Sequence, residues 1–571
     1  MALSYDEAVA QLTASGGRFR IERRIVRGIE VARYVNAPAH LREVFDGSRT
    51  RADDPFLVYE GTRWSFGDVM TRVDALGAAL VERYAVRKGD RVMIAMRNYP
   101  EWVVSYGAIT SIGAIAVAAN AWWTSSELEF VLDDSTPTLI VADDRRLESL
   151  GDAAARRNIR MIGVRLRRSI GGVDHWDNVI RLGATPPLVP LAGDDDSTIF
   201  YTSGTTGRPM GVVSTHDAVT QTLMSLRMRG ELDRLRRSPP DERAPTNNDA
   251  RRHGRAFILV VPLFHMTGCV PVMLTAWWNG IKLVMMYRWD ADRALELIEA
   301  ERVTNFVGVP TQSRDLIQSP RFAQTDTSSL VSIASGGAPA PPELADRVDR
   351  SFRMARPMLG YGLTETTGAG PGISGDDYAQ RRTSCGRVPP IMDVEVRDSD
   401  RRALPPFTVG EIWFKSPTLM RCYWQRPTET AASLIDGWLR TGDLGYVDEE
   451  QYLYVVDRLK DMVLRGGENV YCAEVEAALC EHPAVLEAAV FGVADERLGE
   501  QVAAVVVLKR GHSLDSNSLA AHVAGRLAAF KVPEVIVFQD ESLPRNAAGK
   551  IVKTELRTSV TATLHARSEN Q

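Results

Sequence analysis

The feature that most constrains the fold is a set of three loops rich in glycine and hydroxyl side chains, each preceded by a short apolar run. The loops span residues 201–211, 335–340 and 360–368. Glycine lets the backbone approach a ligand closely, and hydroxyl and backbone N–H groups hydrogen-bond phosphate. Ligands of open α/β sheets bind beyond the carboxyl ends of the strands. The pattern therefore predicts an α/β fold with a phosphate-containing ligand at the ends of its strands.

Apolar and amphipathic segments alternate over several hundred residues of this 571-residue chain, which is typical of α/β architecture. Residues 66–84 have the apolar spacing of a helix, and residues 90–96 have the pattern of a buried strand. After Asp457 the pattern changes to a compact α+β unit of roughly 110 residues. Its expected helices and strands are 473–480, 486–493, 502–508, 519–530 and 535–538.

Residues 229–255 interrupt the alternation, because they are charged, contain proline and asparagine, and include almost no large apolar side chain. Such a segment buries too little apolar surface to offset the entropy of ordering it. We expect an exposed, mobile insertion there. Residues 18–33 are locally basic, which favours a solvated face, with contact to anionic lipid as the alternative.

The composition argues against several partners and compartments. The 68 lysines and arginines are balanced by 73 aspartates and glutamates, so no basic field favours a nucleic acid. The five cysteines are an odd, scattered set, which argues against a disulfide framework. Because the N-terminus also lacks the pattern of a signal peptide, we expect a cytoplasmic protein. The sequence leaves a homodimer open.

One stretch, residues 256–278, carries no formal charge and is long enough to cross a bilayer. Pro262, His265 and Pro271 lie within it, however, and prolines with a histidine disfavour a lipid-facing helix. We expect a buried strand, a turn and a second buried segment, and at most peripheral membrane contact.

Several side chains in and beyond the loops suit a nucleotide. The first loop is not a Walker A loop, since it lacks the sequence Gly-Lys-Ser/Thr. Tyr361 offers a flat face for a base, Thr364 a phosphate donor, and Glu365 a hard oxygen ligand for Mg²⁺. Asp443 has the carboxylate that commonly binds two ribose hydroxyls. Lys550 follows a glycine in a loop that can deliver it to an anion.

Six motifs, in order along the chain, resemble those of the adenylate-forming superfamily of acyl- and aryl-CoA synthetases, peptide-synthetase adenylation domains and luciferases. They are TSGTTG at 202–207, YGLTETTG at 361–368, GWLRTGD at 437–443, DRLKD at 457–461, GGENVY at 466–471 and the loop of Lys550. The resemblance covers nearly the whole chain, from about Pro55 to Lys553. It implies a reaction in two steps: a carboxylate attacks the α-phosphorus of ATP to give acyl-AMP and pyrophosphate, and the thiol of coenzyme A then displaces AMP.

The resemblance also implies a multi-lobed N-terminal domain over residues 1–459 and a mobile lid over residues 460–571, with Lys460 as the hinge. Catalytic roles fall to Thr364, Glu365, His265 and Lys550, with Glu365 holding Mg²⁺. The residues assigned to ATP or AMP are Thr202, Ser203, Gly204, Thr205, Thr206, Gly207, Gly337, Ala338, Pro339, Tyr361, Gly362, Asp443 and Arg458. The coenzyme A path is assigned to Gly466, Gly467, Glu468 and Lys531, and the acyl pocket to His265, Met266, Gly308 and Gly336.

Two positions depart from the family pattern. Met210 stands where the phosphate loop usually has lysine, so one phosphate contact is missing, and Cys472 stands where many relatives have proline. A thiol at that position is expected to be incidental. The segments of the acyl pocket are small or apolar, with Gly308, Gly336 and Gly362 leaving room, so we expect a fatty or alicyclic acid.

Three alternatives stay open from the sequence. One is a ligase for aryl acids, and another is an adenylating enzyme that loads the thiol of a carrier protein. The third is a catalytically impaired homologue that binds nucleotide, and Met210 is the only residue that supports it. The leading hypothesis is an AMP-forming acyl-CoA synthetase.

Overall fold

The structure is a computed structural model that describes residues 3–203, 209–236, 254–337, 342–466, 468–545 and 550–568. The chain divides into two compact units, one of Met1–Asp393 with Phe414–Leu439 and the other of Val394–Trp413 with Arg440–Gln571. The sequence predicts a different kind of boundary, a hinge at residue 460 about which a lid moves. That boundary stays a prediction.

The first unit contains an eight-stranded sheet whose central strands are parallel. In spatial order the strands are β20 (Cys422–Tyr423), β11 (Pro209–Thr215), β10 (Asp196–Ser203), β6 (Ile115–Ala118), β5 (Arg91–Ala95), β7 (Leu139–Asp143), β8 (Arg160–Val164) and β9 (Val173–His175). Both β6 and β7 are buried along their whole length, as expected for continuous apolar strands of a parallel sheet.

A second eight-stranded sheet carries the loops that the sequence singled out. In spatial order its strands are β17 (Gly372–Ser374), β16 (Arg356–Gly360), β15 (Ser332–Gly336), β14 (Asn305–Gly308), β12 (Ala256–Leu259), β13 (Lys282–Met285), β3 (Pro55–Tyr59) and β4 (Thr62–Ser65). From β16 to β3 all pairs are parallel, so their carboxyl ends share one edge. The edge strands β17 and β4 are antiparallel to their neighbours.

The predicted helix at 66–84 is confirmed as Phe66–Glu82, which begins with a capping box between Ser65 and Asp68. The described helices of the first unit are α1 (Tyr5–Thr13), α2 (Leu41–Asp46), α3 (Phe66–Glu82), α4 (Pro100–Ser111), α5 (Ser125–Ser135), α6 (Asp144–Arg156), α7 (Trp176–Val179), α8 (His216–Arg236), α9 (Thr275–Asn279), α10 (Ala291–Ala300), α11 (Pro310–Gln318), α12 (Pro342–Ser351), α13 (Gly375–Gln380) and α14 (Pro427–Ser433).

The expected insertion at 229–255 is wrong in its first part, because α8 continues to Arg236. Met228 and Leu232 are buried against the N-terminal segment, together with Ala8 and Phe19. Two apolar residues one turn apart were enough to bury a helix face within a charged sequence. Residues 237–253 lie outside the described residues. The basic segment at 18–33 forms a hairpin of β1 (Ile21–Val26) and β2 (Ile29–Tyr34).

The uncharged stretch at 256–278 is confirmed as a buried strand, a turn and a second buried segment. After β12, the chain turns and continues as a π-helical segment, Gly268–Leu274, and then α9. Gly268 is required there, since a Cβ would lie 2.2 Å from the carbonyl oxygen of Pro262. In the described part of the chain, no helix is long and apolar enough to cross a membrane.

A five-stranded sheet contains β18 (Asp393–Arg397), β19 (Gly410–Lys415), β22 (Trp438–Val447) and β21 (Leu434–Ile435) in that order, with β23 (Leu453–Arg458) paired to β22. The C-terminal sheet contains β25 (Glu468–Val470), β24 (Val463–Arg465), β27 (Gly499–Leu508) and β26 (Val485–Asp495), with β28 (Val535–Gln539) paired to β27. The described helices in this C-terminal part of the chain are α15 (Cys472–Cys480), α16 (Ser516–Ala524) and α17 (Lys553–Ser568). The helix expected at 519–530 thus begins earlier and ends before Gly525, a poor helix former.

Candidate functional site

The carboxyl ends of β12, β14, β15 and β16 lie side by side and bring the predicted acyl and adenine segments together. Gly308 at the end of β14 is paired with Ser335, and Gly336 at the end of β15 is paired with Gly360. Beyond β12 the chain leads to His265, which is half-buried beside the ring of Phe264 at a centroid distance of 4.9 Å. The loops that follow these four strands therefore lie at one edge of the sheet, which is where α/β sheets bind ligands.

Direct packing joins the segment of His265 to the YGLTETTG segment. Gly368 has a φ of +77°, and a Cβ on it would lie 3.3 Å from Cγ of Met266. Met266 is 5% exposed, so it fixes the distance between the two segments rather than projecting into open space. The predicted neighbours His265 and Tyr361 thus belong to one packed region.

The three glycines expected to leave room in the acyl pocket differ in how closely other atoms approach their Cβ positions. A Cβ on Gly308 would lie 2.7 Å from Oε1 of Gln312 and 2.8 Å from the ring of Phe306, so the expectation that Gly308 leaves room is wrong. Gly362 likewise faces backbone carbonyls at 3.1 Å. Among the described residues, the Cβ position of Gly336 has one neighbour, the carbonyl oxygen of Gly360 at 3.2 Å. Of the three glycines, Gly336 therefore has the fewest contacts with the described residues.

Glu365 is held in place by contacts that sequence reasoning missed. Tyr423 donates its hydroxyl to Oε1 of Glu365 at 3.0 Å, and the backbone N–H of Met420 donates to the Glu365 carbonyl at 2.8 Å. Burial and the neighbouring carboxylate raise the pKa of Tyr423, so its hydroxyl stays a donor. Tyr423 lies 58 residues further along the chain, on β20, and no local pattern connects it to Glu365.

The neighbouring loop residues are fixed by the backbone. Thr364–Thr366 form a short 3₁₀ turn, and Thr367 has a φ of +56°. The hydroxyls of Thr367 and Ser214 are 3.0 Å apart, which joins this turn to β11. The ring of Tyr361 lies 6.0 Å from that of Phe414, centroid to centroid. Thr364 and Glu365 are thus presented by a turn that a hydrogen bond joins to β11, and Tyr361 lies three residues before that turn.

The structure fixes both ends of the predicted phosphate loop. Thr202 at the end of β10 is paired with Met210 on β11, and Ser203 with Pro209. The residues between them, Gly204, Thr205, Thr206 and Gly207, lie outside the described residues, as do Ala338 and Pro339. Gly337 is described, with a φ of +76°.

A buried network that the sequence did not reveal supports the strand of this loop. Asp134 accepts from the hydroxyl of Tyr201 at 2.7 Å and from Nη2 of Arg426 at 2.6 Å. The carboxylate is 5% exposed, and charge-assisted bonds of this kind satisfy it. Tyr201 is next to Thr202, so the network holds the start of the loop.

In the second unit, Asp443 and Arg458 are neighbours, as the ribose assignment requires. They are paired across β22 and β23, and Nε of Arg458 lies 3.2 Å from Oδ1 of Asp443. Asp443 is 3% exposed. Two hydrogen-bonding side chains of opposite charge, held on adjacent strands, can contact two hydroxyls of one sugar.

The predicted hinge lies in an exposed turn directly after β23. Lys460 is exposed there, and the N–H of Leu459 donates to the Gly442 carbonyl at 2.9 Å. On the other side of the turn, Sγ of Cys472 donates to the Asp461 carbonyl at 2.9 Å. Burial raises the pKa of the Cys472 thiol, so it is an unreactive packing group, as expected. None of the five cysteines, all of which are described, forms a disulfide.

The residues assigned to the coenzyme A path are placed in part. Gly466 has a φ of +59° in the turn before β25, which begins with the exposed Glu468, and Gly467 lies outside the described residues. Lys531 is in an ion pair, with Nζ 2.6 Å from Oε2 of Glu474. A role for Lys531 in binding anionic coenzyme A would compete with that pair.

Lys550 is half-buried just before α17. Ile551, next to it, is bridged to Arg545, and Val552 donates its N–H to the Pro544 carbonyl at 2.8 Å. Lys553, three residues further, forms an ion pair with Glu476 at 2.8 Å. The segment after Lys550 is therefore tied to α15, while residues 546–549 lie outside the described residues.

Comparison with known proteins agrees with this arrangement. Residues 45–424 match the family of AMP-binding enzymes, and residues 474–550 match the AMP-binding enzyme C-terminal domain. The chain belongs to the AMP-binding enzyme family. The predicted fold class and the predicted superfamily are confirmed, and the chain is an adenylate-forming acid–thiol ligase.

The relatives of this AMP-binding enzyme span nearly its whole length. A feruloyl-CoA synthase of an Amycolatopsis species is 35% identical over 501 residues, covering 87% of this chain and 94% of the relative. A long-chain-fatty-acid–CoA ligase of Mycobacterium tuberculosis is 34% identical, covering 85% and 91%. Among solved structures, ATP-bound MatB of Rhodopseudomonas palustris is 27% identical, with a TM-score of 0.78 and coverage of 91% and 99%. The family match and this ATP-bound neighbour support the use of ATP by the chain.

Proposed function

We propose that this ligase activates a hydrophobic carboxylic acid as acyl-AMP and then transfers the acyl group to coenzyme A. The observation that carries the proposal is the convergence of four strand ends of one sheet beside Tyr361, Thr364 and Glu365. Relatives that span the chain are named as coenzyme A ligases of a fatty acid and of an aromatic acid, which supports the thiol acceptor.

In the first step the phosphate loop from Thr202 to Gly207 holds the β- and γ-phosphates, with Gly337, Ala338, Pro339 and Gly362 around the adenine. Tyr361 stacks on the base, Asp443 and Arg458 hold the ribose, and Thr364 donates to the α-phosphate. Lys550 neutralises the charge that develops where the carboxylate attacks phosphorus, an interaction that strengthens in the transition state. His265, beside Phe264, gates the carboxylate.

The residues present fit a magnesium ion that arrives with ATP. Mg²⁺ prefers one or two carboxylates together with phosphate oxygens and waters. Glu365 supplies one carboxylate, and the Tyr423 hydroxyl on Oε1 orients it. When bound, Mg²⁺ offsets the negative charge of the phosphates as pyrophosphate leaves.

In the second step, the lid of residues 460–571 rotates about Lys460 and presents Gly466, Gly467 and Glu468 to the pantetheine chain. Glycine leaves space for a narrow chain beside the backbone. Lys531 then leaves Glu474 to bind a phosphate of coenzyme A. The proposed setting is the cytoplasm, which is supported by five cysteines that form no disulfide.

The acid is proposed to be fatty or alicyclic, because the segments around His265, Met266 and Gly336 are small or apolar and the described residues there offer no positioned charge for an α-amino group. An aryl acid is the second candidate, favoured by the feruloyl-CoA synthase relative.

The test is pyrophosphate release with a panel of acids from acetate to oleate, with benzoates and bile-type acids, each with and without coenzyme A. The proposal expects turnover of hydrophobic acids and accumulation of their thioesters. Preference for acetate or an amino acid would contradict the substrate class. Acyl-AMP that forms and never passes to coenzyme A would indicate carrier loading, and no turnover of any acid would indicate a non-catalytic homologue.

A further inference from the structure

The two segments assigned to the coenzyme A path lie far apart along the chain, and Arg465 joins them. The first is the turn of Gly466, which follows β24, and the second is the short 3₁₀ turn Ala529–Lys531. Arg465 is the last residue of β24, and its Nη1 donates to the Phe530 carbonyl at 2.7 Å, a contact over 65 positions. One side chain therefore links both segments.

The guanidinium of Arg465 is largely enclosed by these contacts. Its side chain is 12% exposed, and Nη2 forms an ion pair with Glu534, three residues after Lys531. Nε is buried and has no hydrogen-bond partner within the described ranges. An unpaired buried donor is unfavourable, so the two terminal nitrogens carry the contacts that offset it. Both of those contacts go to the segment around Lys531.

Both ends of the link are tied to the C-terminal sheet. Arg465 is paired with Gly499 on β27, and the N–H of Gly466 donates to the Leu498 carbonyl at 2.7 Å. Phe530 packs against the hydrophobic cluster between this sheet and α15. Because the backbone is held at each end, the Arg465 side chain sets the distance between the two segments.

Lys531 changes its partner in the proposed second step, and the link from Arg465 does not depend on that change. Nζ of Lys531 lies 2.6 Å from Oε2 of Glu474, which it leaves for a phosphate of coenzyme A. The bond from Arg465 goes to the backbone carbonyl of Phe530, so the segment stays in place while the lysine side chain moves. A segment that is ordered before its ligand arrives loses less freedom on binding, which favours affinity.

We propose that Arg465 is a positioning residue for coenzyme A, which holds Phe530 and Lys531 beside the turn of Gly466. The pantetheine path and the lysine that binds phosphate are then in register before coenzyme A arrives. This rests on the proposed function and deepens it, because it assigns a residue to the affinity for the thiol substrate alone. Arg465 takes no part in the formation of acyl-AMP.

The test measures thioester formation by the full chain at varied concentrations of coenzyme A, with supplied acyl-AMP of the acid that the panel turns over fastest. Arg465→Met is expected to raise KM for coenzyme A by at least about 10-fold, the value of a hydrogen bond to a charged group. The kcat at saturating coenzyme A and the rate of acyl-AMP formation should stay within about 3-fold of wild type. Arg465→Lys keeps a cation of nearly the same reach, so its KM should lie between those of the wild type and Arg465→Met.

The matched control is Arg526→Met, in the same unit. Nη1 of Arg526 likewise donates to a backbone carbonyl, that of His522 at 3.1 Å, and Nε pairs with Glu481 at 2.7 Å, but neither partner belongs to the two segments. This variant is expected to keep the wild-type KM for coenzyme A.

An unchanged KM for coenzyme A in Arg465→Met overturns the inference. So does an equal loss of rate in both half-reactions at unchanged KM, which is what a purely structural role would give. Should Arg465→Met fail to fold, Arg465→Gln, whose side chain is too short for the Phe530 carbonyl, decides by the same KM. Failure of the proposed function differs from these results, because the wild type itself would then form no thioester with coenzyme A, and it overturns the inference as well.

Discussion

Breaking the buried pair between Lys553 and Glu476 should loosen the segment that carries Lys550. The two side chains are 18% and 22% exposed, and Nζ lies 2.8 Å from Oε1. The pair raises the pKa of Lys553 against the desolvation that would lower it, so the lysine is charged in the folded protein. Lys553→Met leaves Glu476 without its cation among Asp457 and Cys472.

The magnitude follows from this burial. Removing one partner of a buried pair costs about 3–5 kcal/mol, and the partial exposure here favours the lower value, about 3 kcal/mol. Amides of α15 and α17 should then exchange about 150-fold faster, provided that they exchange by local opening. Hydrogen exchange measured on the full chain reports this directly, without assuming that the two units unfold together.

Lys531→Met is the matched control, since its pair with Glu474 is 20% and 36% exposed. A more exposed pair contributes about 1 kcal/mol or less, so exchange should rise by no more than about 5-fold. Lys553→Met with Glu476→Met should recover part of the loss, because no charge is left buried. Equal exchange in the two single variants would refute the reasoning.

Three further predictions concern pH and nucleotide binding. Burial lowers the pKa of His216 to about 3, and its Nδ1 accepts a hydrogen bond from the Leu41 N–H at 3.2 Å. In the unfolded chain the imidazole becomes protonated near pH 6.5, whereas in the folded protein it stays neutral. The free energy of unfolding should therefore fall by about 2 kcal/mol from pH 7 to pH 5. In the variant His216→Asn the amide oxygen can accept the same hydrogen bond but does not titrate. The drop in the urea midpoint from pH 7 to pH 5 should therefore be smaller in this variant than in the wild type. Asp443→Asn should raise KM for ATP at least about 10-fold with little change in melting temperature, because Arg458 is exposed enough to be solvated; an unchanged KM excludes the ribose role. Met210→Lys should lower KM for ATP by about 10-fold, since it adds a charged donor at the end of the phosphate loop; an unchanged KM means that the missing lysine is unimportant here.

Much of the first unit was predictable, because its strands are short apolar runs and its loops carry their chemistry in consecutive residues. The pairing of Gly336 with Gly360 follows from the rule that parallel strands end at one edge. The strand, turn and buried segment at 256–278 are predictable from Pro262 and Pro271. Local patterns of this kind need no knowledge of distant parts of the chain.

Two of the misses depend on contacts between distant residues. Tyr423 reaches Glu365 over 58 positions, and Arg229 reaches Gly370 over 141 positions. The sequence predicts an exposed insertion at Arg229, whereas its guanidinium packs against Gly372 on β17. The sequence also predicts space beside Gly308, whereas the nearby side chains of Gln312 and Phe306 close that space. Spacing predicts which residues share an edge, and packing decides what each one touches.

The measurement that tests the central claim most directly is the separate assay of the two half-reactions in Lys550→Ala. The account predicts that acyl-AMP formation from acid and ATP falls by about 10²–10³-fold. Thioester formation from supplied acyl-AMP and coenzyme A should stay within about 3-fold of wild type, because Lys550 serves the first step only. Acyl-AMP formation at the wild-type rate, or an equal loss in both half-reactions, would contradict the assignment of adenylation to Lys550.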